Sequence, residues 1–146
     1  MRWLSLTLAI GLWLGPFSGS PVAARDVFPG PVAASVVSVH DGDTFRAVAE
    51  VWPGHSVTVN IRVRGIDAPE KRGRCAGERD AAERARMALA ELLSHGMVSV
   101  TNIAGAKYYG RVLADVTTRD GVQVAEALLA ASLVRPYSGG RREGWC

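Results

Sequence analysis

Between Ser56 and Arg64 every second residue is apolar: Val57, Val59, Ile61 and Val63 alternate with Thr58, Asn60, Arg62 and Arg64. Successive side chains of a strand point to opposite faces, so this run buries one face and turns the other outward, a pattern no helix reproduces. Arg62 and Arg64 therefore project away from the core. Turn signals bracket the run, with Asp41-Gly42-Asp43 and Trp52-Pro53-Gly54 before it and Gly65 after it. Strands are expected over residues 36–40, 44–51 and 56–64.

Residues 65–77 read as a loop carrying Asp67, Pro69, Glu70 and a basic cluster. A helix is expected over 78–94, where Ala81, Ala85, Leu89, Leu92 and Leu93 form an apolar stripe and Gly96 supplies the stop. Glu78, Asp80 and Glu83 lie near its amino-terminal end, the favourable sign for the helix dipole. Two further strands are expected at 98–103 and 111–117, and Gly121 introduces a short helix at 122–131. Five short strands in this order describe an α+β fold: a five-stranded Greek-key OB-type β-barrel with one main helix after the third strand and a short helix near the C-terminus.

At 146 residues, 48% hydrophobic and 21% charged, the chain is one globular domain's worth. Its first 24 residues differ from the rest. Arg2 is their sole charge, an apolar stretch runs from Trp3 to Leu14, and Val22-Ala23-Ala24 forms a small-residue cleavage pattern. Residues 1–24 read as a signal peptide, since the apolar run breaks at Pro16, Gly19 and Pro21, short of the about 20 residues that span a bilayer. Residues 25–35, with Pro29, Gly30 and Pro31, read as a flexible lead-in, and 36–146 as the domain. The expected product is a periplasmic or secreted monomer without stable membrane insertion.

A net charge of +3 does not by itself imply a nucleic-acid partner. Of the 17 basic residues only Lys71 and Lys107 are lysines. Arginine's planar fork suits phosphate, although arginine-rich usage equally follows from genomic base composition. Two cysteines in an exported chain favour a disulfide, here Cys75 to Cys146, with an intermolecular bridge as the alternative. The loop of 71 positions would contribute about 4 kcal/mol in the chain-entropy account. It would hold the terminal residue beside the segment from Asp67 to Glu70. Neither cysteine has a second thiol or a histidine at zinc-ligand spacing.

Four polar elements remain: Asp41-Gly42-Asp43-Thr44 at a strand turn, Arg62 on a strand's polar face, Asp67-Ala68-Pro69-Glu70 in the next loop, and Tyr109-Gly110-Arg111 entering a late strand. Each alone is commonplace. Together, in this order, "DGDTF", "IRVRGIDAPE", "YYGRVLADV" and the following "GVQVAEALLAASLV" resemble the staphylococcal nuclease, or thermonuclease, family over residues 36–133.

Phosphodiester cleavage needs an attacking water, neutralised phosphate oxygens and a stabilised leaving alkoxide. Asp43 and Asp67 are hard oxygen donors suited to Ca²⁺. The resemblance implies the Ala68 carbonyl as a third ligand, in a position where the family commonly has threonine. It further implies Glu70 as the residue that positions or deprotonates the water, Arg62 and Arg111 as the phosphate grip, and DNA and RNA as substrates. Asp41 is expected to shape the turn, and Tyr109 either to stack near the site or to fill the core. The family's long carboxy-terminal helix is missing; Arg135-Pro136-Tyr137 and the "RREGWC" tail stand there, leaving Tyr137 to stack on a base and a disulfide to replace part of the bracing.

Two other classes compete: a non-catalytic nucleic-acid-binding OB module, which would ordinarily lack part of this set, and an envelope protein whose barrel serves only protein contacts. Histidine-centred chemistry finds little support: only His40, just before the acidic turn, is placed to approach the site, while His55 in a turn and His95 at a helix end read as surface residues. Two-metal chemistry on Asp41, Asp43, Asp67 and Glu70 stays open, though two arginines lessen the need for a second cation.

Overall fold

A computed structural model describes residues 27–146; the expected signal peptide lies outside them. β1 (Val32–Asp41), β2 (Thr44–Trp52) and β3 (His55–Val63) form an antiparallel meander. β4 is the two-residue Ile66–Asp67, followed by helix α1 (Ala76–Leu92). β5 (Met97–Gly105) and β6 (Arg111–Thr118) form a hairpin, then come helix α2 (Val124–Ala130) and the two-residue β7, Arg135–Pro136. The five long strands close into a barrel in the order β1-β2-β3-β6-β5, with β6 parallel to β3 and β5 antiparallel to β1. This is the expected OB-type arrangement, with the main helix between the third and fourth barrel strands.

The alternation in β3 does what its period requires. Ile61 and Val63 are buried, whereas Val57, toward the strand's start, is half exposed at an apolar mouth of the barrel that it shares with Phe28 and Val32. The core gathers Phe45, Ile61 and Val63 with Leu89 of α1 and Leu128 of α2. Truncating such a buried leucine to alanine costs about 2–5 kcal/mol.

Beyond small shifts at element ends, three features differ from expectation. β1 begins at Val32 rather than 36, so part of the lead-in is strand: Val32 to Ser35 pair with Val100 to Met97, and Phe28 bridges to Ile103. Without that extension β5 would keep an unpaired edge and the barrel would not close. The buried stripe of α1 runs through Glu78, Ala82, Ala85 and Leu89, so Ala82 and not Ala81 faces inward. A small antiparallel ribbon of β4 and β7, unexpected from sequence, pairs Ile66 with Pro136 and Asp67 with Arg135.

Candidate active site

The acidic turn resolves into two environments. Asp41 ends β1 and Thr44 opens β2 as partners across the turn, leaving Gly42 and Asp43 at its tip. Asp41 reaches outward, 3.6 Å from Lys71 Nζ, while Asp43 is buried. Gly42 is needed for packing: a Cβ there would lie 2.5 Å from the Ala85 Cβ and 3.0 Å from the Ala68 Cβ. The turn is thus pressed against α1 and against the loop that carries the other carboxylates.

Both oxygens of Asp43 are bonded, and Oδ1, with one donor, keeps a lone pair open. Its Oδ2 accepts from Arg62 Nη1 at 2.6 Å and from the Ala68 amide at 3.2 Å, and its Oδ1 accepts from the Thr44 hydroxyl at 2.7 Å. Arg62 spans two carboxylates, because its Nη2 lies 3.5 Å from Asp67 Oδ1 and also donates to Ile66 O at 3.3 Å. Asp67 itself is buried on the β4–β7 ribbon. Burial of these carboxylates without cationic partners would be costly, and the guanidinium offsets that.

Glu70 sits at the rim, on a loop wrapped around another carboxylate. The buried Glu78 accepts from the Glu70 amide at 3.4 Å and from the Arg74 amide at 3.0 Å. Gly73 passes so close that a Cβ on it would stand 2.4 Å from the Glu78 side chain. Glu78 therefore works as a loop clamp, a role beyond the helix-dipole placement read from sequence.

Arg111 opens β6 in register with Asn60 of β3, and its guanidinium lies 5.4 Å from the Tyr108 ring centroid. Among the described residues it forms no ion pair. Tyr108, rather than Tyr109, lines the site; Tyr109 is fully exposed, neither core nor stacked. Arg111, Arg62, Asp43, Glu70 and Ala68 border one cleft of about 220 Å³. Asp67 lines the larger adjoining cleft of about 560 Å³, and both clefts share Glu70 and Arg142.

Arg142 is the residue that sequence reasoning passed over. Its Nη1 pairs with Glu70 Oε1, and its Nη2 pairs with Asp67 Oδ1 while donating to Ala68 O at 3.1 Å. Partial burial works against its charge, but the hydrogen bonds and attraction of Asp67 and Glu70 outweigh this and raise its pKa. The tail that carries it is anchored by the Cys75–Cys146 disulfide, with Cα atoms 6.0 Å apart, within the usual range for such bonds. Arg135 adds a second anchor: its guanidinium sits 3.7 Å from the Trp145 ring centroid and donates to Gly144 O at 2.9 Å. One signal for Arg142 was available. It precedes Cys146 by four residues, and four residues span at most about 14 Å, so pairing Cys146 with Cys75 confines it near Glu70.

The oxygens fit a hard cation. Asp67 Oδ1 and Ala68 O already converge on one nitrogen of Arg142, and every donor in the cluster is an oxygen, the type that Ca²⁺ takes. Cys75, Glu78 and Cys146 also cluster, but their sulfurs are joined to each other and carry no thiolate to offer a metal.

Residues 60–142, more than half of the chain, match a family model described as staphylococcal nuclease homologue. No curated protein matches the chain.

Proposed function

This chain belongs to the staphylococcal nuclease homologue family, and on that premise we propose that it is an exported, Ca²⁺-dependent nuclease hydrolysing phosphodiester bonds of DNA and RNA. The observation that carries this reading is the convergence of guanidinium groups from two side-by-side strands, Arg62 on β3 and Arg111 on β6, with carboxylates from two separated segments.

Each residue then has a task. Glu70 at the rim orients the attacking water and takes its proton, since its side chain is half exposed and the loop clamp fixes its backbone. Arg62 and Arg111 grip the non-bridging phosphate oxygens through planar forks, contacts that strengthen as negative charge builds toward the transition state. Asp43 and Asp67 hold Arg62 in place before substrate arrives. Ca²⁺, held by Asp43, Asp67 and the Ala68 carbonyl, would add positive charge against the phosphate. Replacing the family threonine by Ala68 keeps that carbonyl and removes a hydroxyl. The disulfide supports an oxidising destination, periplasm or medium, where such bonds persist.

The test is cleavage of single-stranded DNA and of RNA with Ca²⁺, with and without chelator, by wild type and Glu70→Gln. Chelator should abolish cleavage, and Glu70→Gln should lower kcat by about 10²–10⁴. Chelator-resistant cleavage, or full activity of the variant, defeats the mechanism. Oligonucleotide binding without cleavage would make this a nucleic-acid-binding barrel instead.

A further inference from the structure

The carboxy-terminal tail delivers a positive charge onto the oxygens assigned above to the cation. Arg142 Nη2 is bonded to Asp67 Oδ1 and to Ala68 O, and Nη1 to Glu70 Oε1. A divalent cation held by Asp67 and the Ala68 carbonyl would draw on the same carboxylate and the same carbonyl oxygen, next to a positive charge already seated there. Guanidinium and cation therefore compete. The tail is pinned at both ends, by pairing of β7 on β4 at one and by the disulfide at the other, with Arg135 stacked on Trp145 across that loop. Pinning makes the contact intramolecular and raises the effective concentration of the guanidinium at the carboxylates. Room to leave exists as well, since Arg142 also borders the cleft of about 560 Å³ that Arg72, Arg74 and Arg141 line.

We propose that Arg142 is a built-in competitor for the cation site, a guanidinium that a divalent cation must displace, and that the disulfide-closed tail sets how strongly it competes. The proposal rests on the reading of Asp67 and Ala68 as cation ligands.

Calorimetric titration with Ca²⁺, without nucleic acid, tests it. Arg142→Gln in the oxidised protein should bind Ca²⁺ at least about ten-fold more tightly than wild type. Cys146→Ser, which frees the tail, should shift affinity the same way by a smaller factor. Arg141→Gln removes an equal charge from the neighbouring position, whose guanidinium forms no ion pair among the described residues, and should stay within about two-fold of wild type. Should Arg142→Gln fail to fold, Arg142→Lys is read in its place; a single ammonium cannot span Glu70 and Asp67, so tighter binding than wild type is again expected. Unchanged or weaker binding by the Arg142 variant overturns the proposal, as does an equal gain in Arg141→Gln. Ca²⁺ uptake by wild type and all variants with one affinity sinks this inference alone, whereas uptake by none sinks it together with the cation reading.

Discussion

At the scale of residues, the site depends on close approach as much as on charge. Gly42 lets the acidic turn lie against Ala85 and Ala68, and the added methyl of Gly42→Ala has nowhere to go. That variant should lose about 1–3 kcal/mol in urea unfolding, a typical cost of overpacking. Because Asp43 follows directly, its contacts with Arg62 and the Ala68 amide should shift as well, and under the proposed cation site this would be read as weaker Ca²⁺ binding in the folded variant. That these residues would meet was legible in the sequence: Asp43, Arg62, Asp67, Ala68 and Arg111 all lie at or beside the carboxylate cluster, with Glu70 on its rim. What each touches was not legible, since contact partners are set by tertiary packing. Asp41 and Asp43 look alike in the chain and end in opposite surroundings. Arg142 looked like one of several tail arginines until the disulfide gave it a position.

Among the elements, α1 supports the site through one buried side chain. Glu78 holds the Glu70 and Arg74 amides, so Glu78→Ala leaves two backbone donors unpaired and should cost about 1–3 kcal/mol. Hydrogen exchange at those two amides should accelerate more than the global loss of stability explains. Glu78→Gln keeps one acceptor oxygen and should retain part of both effects. The long elements were readable because periodicity accumulates over eight or more residues, as in β3 and α1. β4 and β7, at two residues each, are too short to carry a period, and their pairing depends on the tail being folded back. The upstream start of β1 was hidden for a related reason: it is the neighbouring edge of β5, and not local propensity, that turns Val32 to Ser35 into strand.

For the whole molecule, closure is achieved twice. The barrel closes by pairing β1 with β5 and β3 with β6, and the chain closes again through Cys75 and Cys146 across 71 positions. A Cys75→Ser/Cys146→Ser protein should be less stable by about 2–4 kcal/mol, a fall in Tm on the order of 10 °C. Its barrel should persist by far-UV circular dichroism, because the core of Phe45, Ile61, Leu89 and Leu128 does not depend on the bridge. The order of elements along the chain and the barrel class were legible from turn spacing and the helix after the third strand, whereas the second closure could be read only as a pairing of two cysteines. Trp145 sits within that second closure, half-buried against Arg135 and next to Cys146, and the other tryptophan among the described residues, Trp52, lies exposed on the barrel. A disulfide quenches a neighbouring indole, so the tail carries its own optical reporter: its release by thiol is expected to brighten and red-shift the fluorescence without any attached label.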